Sequence, residues 1–133
     1  MNGATVKVYS LSKDGNKKLS ENFRVKEFAC EDGSDPIFIS EGLVQVLQAI
    51  RAHFGKPVHI HSGYRTPEHN AKVGGSEHSR HLYGMAADFH VEGVEPEKVY
   101  AYADKLLKDT GGVGLYDWGV HIDVRKTKSR WKG

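Results

Sequence analysis

The sequence predicts an α+β protein in which helices flank a small, mainly antiparallel sheet. Segments 57–61, 84–91 and 119–124 alternate apolar and polar residues, which is typical of strands with one buried face. Segment 40–54 instead carries apolar residues at helical spacing. Because strands and helices follow no regular βαβ order, we expect antiparallel rather than parallel pairing.

Size and composition limit the classes of protein to consider. The chain has 133 residues, of which 38% are hydrophobic, enough for one modest core. We expect one domain over 1–133, with its core at 23–131 and an edge strand or extension within 1–20. The net charge of +2 does not indicate nucleic acid binding. No apolar run approaches the roughly 20 residues of a membrane span, and without a signal-peptide apolar region we expect synthesis in the cytoplasm.

The first predicted elements lead up to one long helix. Residues 4–10 alternate weakly and predict an edge strand, and 22–30 predict a helical turn that packs on the core. Segment 40–54 predicts the helix, with Ser40 as its N-cap and Gly55 after its last residue. Its apolar stripe consists of Ile39, Leu43, Val46, Leu47, Ile50 and Phe54.

Two further helices are predicted to begin at prolines, which favour the first helical position. A short one starts at Pro67 with Thr66 as its cap, and a longer one starts at Pro96. Cys30 is the only cysteine, which excludes an intramolecular disulfide and a cysteine-based zinc site. We expect Cys30 to be a buried structural thiol.

The strand alternation gathers ionisable side chains on one face of the sheet. In 119–124 the valines and the isoleucine alternate with His121 and Asp123, which therefore share the other face. In 84–91 the same argument places Asp88 on the face opposite the apolar residues, beside Ala86 and His90. The loop before this strand carries two further histidines, His78 and His81.

Two imidazoles and one carboxylate are a suitable ligand set for a catalytic zinc ion, because three protein ligands leave a fourth position for water. Asp88, His121 and a histidine of the preceding loop would supply them. His59 and His61 alternate on one strand and are an alternative metal pair. The remaining histidines, His53, His69 and His90, are expected to be solvated or structural.

Three segments carry a family resemblance. Residues 79–88 fit Ser-x-His-x-x-Gly-x-Ala-x-Asp, residues 120–123 contain a late His-x-Asp, and residues 62–65 read Ser-Gly-Tyr-Arg. In this order they resemble the zinc D-Ala-D-Ala carboxypeptidase family, peptidase M15, over about 23–131. That family includes phage endolysin peptidases and VanX-type dipeptidases, and its fold is similar to the Hedgehog signalling domain.

The resemblance assigns roles to individual residues. It implies that His81, Asp88 and His121 hold one zinc ion, so that His81 rather than His78 is the loop ligand. It implies that Arg65 binds a substrate carboxylate or the scissile carbonyl, and that Ser79 orients the ligand loop or touches the substrate.

The sequence departs from the family where many members place the general base, three residues before the last ligand. Trp118 occupies that position, and we expect it to form a wall of the substrate cleft. Asp123 and Asp117 are then the candidate bases, and Asp123 is alternatively a carboxylate that orients a ligand.

The function implied is a zinc metallopeptidase, a hydrolase acting on peptidoglycan stem peptides or cross-links, as a D,D-carboxypeptidase, an endopeptidase or a prophage lysin. We expect a monomer that acts on the cell wall after a phage-type release, and neither nucleic acid nor membrane as partner. The departure at Trp118 leaves two alternatives, an inactive zinc-binding wall domain and a phage structural domain.

Overall fold

The computed structural model describes residues 5–133. Among them, the strands are β1 (Val6–Ser10), β2 (Lys18–Ser20), β3 (Phe23–Arg24), β4 (Pro36–Ser40), β5 (Val58–Ser62), β6 (Ala86–Val91), β7 (Gly112–Leu115), β8 (Val120–Asp123) and β9 (Ser129–Lys132). The helices are α1 (Leu11–Asp14), α2 (Glu41–Phe54), α3 (Pro67–Lys72) and α4 (Pro96–Leu107). Short 3-10 turns span Val25–Phe28 and Arg80–Tyr83.

The central sheet has five strands in the order β5-β6-β8-β7-β9. All neighbouring pairs are antiparallel except β7 and β9, which run parallel. Two smaller antiparallel pairs, β1 with β4 and β2 with β3, lie outside this sheet. The predicted α+β class with a mainly antiparallel sheet is therefore confirmed.

The apolar face of the sheet forms the core together with α2 and α4. Phe89, Val91 and Ile122 are buried on this face, against the buried apolar residues of α2. Ile39, predicted to belong to the apolar stripe of this helix, lies in β4 instead. The predicted caps of α2 are present, since Ser40 Oγ accepts from the Leu43 amide and Gly55 follows in the left-handed conformation. Cys30 is buried, as expected.

The strand boundaries differ slightly from the predicted ones. The strand expected at 84–91 begins at Ala86, because Gly84 ends a 3-10 turn with φ 70°. The edge strand expected at 4–10 is β1, and its first predicted residue lies outside the described part of the chain. Strands β2, β3, β4, β7 and β9 were not predicted, because they lack a clear alternation of apolar and polar residues.

Strand β8 is buried on both faces, contrary to the expectation of one buried and one solvated face. All four of its residues are buried, including His121 and Asp123. It lies between β6 and β7, and the side chains of Arg125 and Trp131 cover its polar face. The polar face of this strand is therefore the floor of a site rather than a surface.

Candidate metal centre

Asp88 and His121 face each other directly across β6 and β8. Residues opposite each other in an antiparallel pair have side chains within reach of contact. Nδ1 of His121 lies 2.7 Å from Oδ1 of Asp88. The sheet register alone thus brings together two of the predicted ligands.

His81 reaches the same point from the 3-10 turn before β6. Its Nε2 lies 3.2 Å from Oδ2 of Asp88. Ser79 begins the turn, and its hydroxyl accepts from the His81 amide at 3.2 Å. Gly84 ends it with φ 70°, and a Cβ there would lie 2.1 Å from the carbonyl oxygen of Phe38 in β4. The turn therefore requires glycine both for its backbone conformation and for its close packing on β4.

The hydrogen bonds of the two histidines fix which nitrogen of each ring faces Asp88. Nδ1 of His81 lies 2.7 Å from the Gly63 carbonyl, which can only accept a hydrogen bond. Nε2 of His121 lies 2.8 Å from Oδ2 of Asp123, so each nitrogen of this ring faces a carboxylate. In a neutral imidazole, one nitrogen is a donor and the other has a lone pair. In its neutral form His81 therefore directs a lone-pair nitrogen at Asp88, and His121 does so when its proton lies on Nε2.

Lone pairs that face a carboxylate need a cation between them, either protons on both rings or a metal ion. The three donor atoms of His81, Asp88 and His121 all lie within 4.8 Å of one another. Two imidazole nitrogens and one carboxylate oxygen form a donor set that zinc prefers, with bonds of about 2.0–2.2 Å. The residues present therefore fit a zinc ion.

Asp123 stands behind His121 and is fully buried, with 0% of its surface exposed. Its Oδ1 accepts from the Gly112 amide at 3.0 Å and from Arg125 Nε at 2.8 Å, and its Oδ2 accepts from Arg125 Nη2 at 2.7 Å. Gly112 lies opposite Asp123 in β7, and a Cβ there would be 2.2 Å from Oδ2. The missing side chain at Gly112 makes room for this carboxylate.

These contacts set the protonation of the site when no metal is bound. Burial opposes the charged form of His121, but the hydrogen bonds to Asp123 and Asp88 outweigh it and raise the His121 pKa. Burial also opposes ionisation of Asp88, yet hydrogen bonds from His121 and His81 hold its pKa well below the usual range. For Asp123, hydrogen bonds from His121 and Arg125 likewise outweigh burial and lower the pKa.

Arg65 lies at the edge of the centre with 17% of its side chain exposed. Its Nε donates to Ser62 Oγ at 3.1 Å and its Nη1 donates to Asn70 Oδ1 at 3.3 Å. Nη2 lies 3.5 Å from Oδ2 of Asp88. The guanidinium is thus held beside the ligands by partners along its length.

A cleft of about 320 Å³ opens over the three ligands. Among the described residues, Asp88 is the only carboxylate in its lining, which is otherwise basic, polar and aromatic. The full lining is Arg65, Ser76, His78, Ser79, Arg80, His81, Asp88, Tyr116, His121, Arg125 and Trp131. A larger cavity of about 680 Å³ lies between β1, β2 and α2 and contains none of the three ligands.

Neither candidate general base lies in this lining. Asp123 is behind the ring of His121 with both oxygens hydrogen-bonded, so a role as general base conflicts with its position. Asp117 is exposed in the turn between β7 and β8. Trp118, in the same turn, is 49% exposed and lines a neighbouring cavity of about 500 Å³ with His61 and His90. Trp118 thus lies beside the metal cleft, and its expected place in the wall of the substrate cleft stays a prediction.

The structure separates the remaining histidines from the ligand set. His61 Nε2 contacts His90 Nδ1 at 2.5 Å, whereas His59 stacks on His90 and lies 3.4 Å from Glu92. The expected alternative of a His59 and His61 pair is thus replaced by a contact between His61 and His90. His78 lines the cleft but is not part of the three-residue group.

Sequence reasoning missed five residues of the cleft, Ser76, Arg80, Tyr116, Arg125 and Trp131. Arg125 continues the alternation of His121 and Asp123, so the strand pattern could have placed it on the same face. Tyr116 and Trp131 come from a turn and from β9, where no pattern indicates a direction.

The fold and centre can be compared with known proteins. A family model of peptidase M15 matches residues 19–123. The peptidoglycan L,D-endopeptidase MepK of Escherichia coli K12 is 36% identical over 95 residues, which are 65% of this chain and 51% of that protein. The probable MepK of Haemophilus influenzae is 34% identical over 83 residues, 57% of this chain and 43% of that protein.

A zinc D-Ala-D-Ala carboxypeptidase of Streptomyces albus G is 49% identical over 43 residues, which are 32% of this chain and 17% of that protein. The chain thus spans about half the length of the MepK of Escherichia coli, and less of the other two. No helix within residues 5–133 has the length and apolar character needed to cross a membrane. Since the family model covers most of the chain, the protein belongs to the peptidase M15 family.

Proposed function

We propose that this protein is a zinc metallopeptidase that hydrolyses peptide bonds in the stem peptides or cross-links of bacterial peptidoglycan. The observation that carries the proposal is the cluster of His81, Asp88 and His121, which places two imidazole nitrogens and one carboxylate oxygen within 4.8 Å of one another. The names of the MepK and carboxypeptidase relatives support the substrate class.

The chemistry expected from a bound zinc ion is that of a Lewis acid, which polarises a carbonyl and lowers the pKa of water toward about 7. In our proposal, His81, Asp88 and His121 hold the ion. Asp123 keeps His121 in the tautomer that offers Nδ1, and Arg125 neutralises Asp123 from the far side. Ser79 orients the ligand turn through its hydrogen bond to the His81 amide.

Arg65 is proposed to bind a carboxylate of the substrate peptide. Its planar fork suits bidentate pairing with a carboxylate. Ser62 and Asn70 hold the guanidinium in place at the cleft edge, so little side-chain freedom is lost on binding. The basic lining contributed by Arg80 also favours an acidic peptide.

We further propose that residues 23–131 form the peptidase domain, that one copy completes the site, and that the protein acts on the cell wall. One chain supplies all three metal ligands as well as Asp123 and Arg65, which supports a monomer. The digestion experiment below identifies the particular bond that is cut.

A second function is favoured by one observation, the absence of a free carboxylate in the described lining of the cleft. Without a general base, the same centre would bind zinc and a wall peptide without cutting it. Asp117 supplies the base only if the turn of Tyr116 to Gly119 moves, because its side chain is exposed outside the cleft.

Digestion of purified muropeptides distinguishes the two functions by mass spectrometry. We expect a new product with zinc-loaded protein, its loss with a chelator, its return with added zinc, and no product from His81→Ala. The mass of the product identifies the bond. Zinc-loaded protein that yields no product would favour the binding domain.

A further inference from the structure

Tyr116 is the one phenol in the lining of the metal cleft among the described residues. It follows β7 directly, and its amide donates to the Gly119 carbonyl at 2.9 Å, which closes the turn to β8. The turn therefore fixes its backbone one strand away from His121.

The oxygen of Tyr116 is held by Trp131. Trp131 Nε1 donates to Tyr116 Oη at 3.2 Å, and the Trp131 ring lies 5.0 Å from the ring of His121. A Cβ at Gly114 would lie 2.4 Å from the Trp131 ring, so glycine there permits this position. On its other side, the Tyr116 ring stacks on Trp118 at 5.7 Å, with 6° between the planes. The phenol is thus fixed by two aromatic neighbours.

The hydrogen bond from Trp131 does not use the proton of the Tyr116 hydroxyl. An indole N–H can only donate, so the contact with Trp131 uses the phenol oxygen as an acceptor. Within residues 5–133, no acceptor lies within hydrogen-bond distance of the Tyr116 hydroxyl. The O–H is therefore available to a group that enters the cleft.

Arg65 and Arg125, the two guanidinium groups beside the centre, are more fully engaged. Arg125 forms a two-point pair with Asp123, and Arg65 is held by Ser62 and Asn70 and lies close to Asp88. A neutral O–H that is already fixed in place is a good donor to a developing oxyanion, because it costs no reorganisation during the reaction.

We propose that Tyr116 is a catalytic residue, whose O–H donates a hydrogen bond to the scissile carbonyl oxygen as that oxygen gains negative charge. The phenol keeps its proton, so this role is electrostatic and no group is transferred to or from it. The inference rests on the proposed peptidase function. It adds to that function a protein side chain that stabilises the transition state.

The test compares Tyr116→Phe with the wild type on the muropeptide that the protein cuts. Removing one oxyanion donor costs about 10²–10³-fold in kcat in other hydrolases, and sharing the charge with a metal lowers that to roughly 10–100-fold here. We expect this loss in kcat, with KM and zinc content unchanged. Tyr102→Phe, a phenol stacked on His53 away from the cleft, is the matched control and should leave kcat unchanged.

A binding measurement gives a readout that does not depend on turnover. The probe is a phosphinate analogue of the peptide bond that the digestion experiment identifies. Calorimetry compares its affinity with that of the product peptide. Tyr116→Phe should weaken the phosphinate by the same factor as kcat/KM and leave product binding unchanged. Equal kcat in Tyr116→Phe, or equal weakening of both ligands, overturns the inference while leaving the peptidase in place. A wild type that cuts no muropeptide overturns the peptidase and this inference together.

Discussion

Asp123 accepts a hydrogen bond from Nε2 of His121 at 2.8 Å, on the side of the ring opposite Asp88. His121 therefore bridges two carboxylates, one in the cleft and one buried behind it. A ligand histidine whose second nitrogen donates to a carboxylate has its tautomer and orientation fixed, and becomes a more basic ligand. The predictions below follow from this arrangement and from the loop that supplies His81.

Asp123→Asn should weaken zinc binding. The amide has no charge to hold the His121 proton on Nε2, and it leaves Arg125 without its partner. Loss of such a partner typically costs about 10–100-fold in metal affinity. Competition with a chromophoric chelator measures the change. Asp117→Asn, in the exposed turn, should leave the affinity unchanged, and a similar loss there would contradict the assignment.

The pH dependence of stability should reverse when zinc is bound. In metal-free protein the His121 pKa is raised above its usual 6.5, so the folded state holds more protons than the unfolded state above that pH. The His121 contribution is present below about pH 6.5 and is lost as the pH rises through the folded pKa. Zinc competes with that proton, so the stabilisation by zinc should grow over the same range.

Urea unfolding at pH 6.5 to 9, with chelator or with zinc, measures both slopes. His90, whose pKa is lowered, chiefly by burial, adds a slope only near the lower end of this range, because an unfolded histidine with a pKa near 6.5 loses its proton just above that pH. His121→Gln should flatten both slopes. A metal-free protein that gains stability with rising pH in this range would count against the two carboxylate contacts of His121.

Gly84→Ala should destabilise the protein and weaken zinc binding through the position of His81. A left-handed backbone costs a non-glycine residue about 1–2 kcal/mol, and the added Cβ would meet the Phe38 carbonyl. Gly93→Ala is the matched control, since Gly93 has φ 72° with open space around it. Gly93→Ala should lower the unfolding free energy only by the roughly 1–2 kcal/mol that a left-handed backbone costs a non-glycine residue. Equal losses in unfolding free energy for the two variants would show that packing of the loop on β4 is unimportant.

Arg65→Lys should impair substrate binding while leaving the zinc content intact. The substitution keeps the charge but loses the fork that Ser62 and Asn70 hold in place. A hydrogen bond to a charged group contributes about 1.5–3 kcal/mol, so we expect KM to rise roughly 10–100-fold. Steady-state kinetics on the muropeptide measures this. Arg51→Lys on α2, outside the cleft, serves as the control.

The sequence predicted the metal centre because strand alternation determines which side chains share a face. Asp88 and His121 followed from that pattern, and the antiparallel register then placed them opposite each other. His81 lies in a loop, where no periodicity gives a direction, so its choice over His78 depended on the family motif. The structure groups His81, rather than His78, with Asp88 and His121.

Alternation could not predict how deeply each face is buried. Alternation places Asp123 on the same face as His121, but its complete burial results from Gly112, Arg125 and Trp131. Trp131 belongs to β9, which pairs in parallel with β7 although β8 lies between them in the sequence. Such contacts depend on residues far apart in the sequence, and the short segment 129–132 contains no apolar pattern that would indicate a strand.

The most direct test of the central claim is the zinc content of the purified protein after dialysis, measured by mass spectrometry of the metal. The account predicts one zinc ion per chain in the wild type and almost none in Asp88→Ala or His121→Ala, while His61→Ala and His90→Ala keep the full amount. A wild type that holds no zinc, or zinc lost from the His61 and His90 variants instead, would contradict the assignment of the centre to His81, Asp88 and His121.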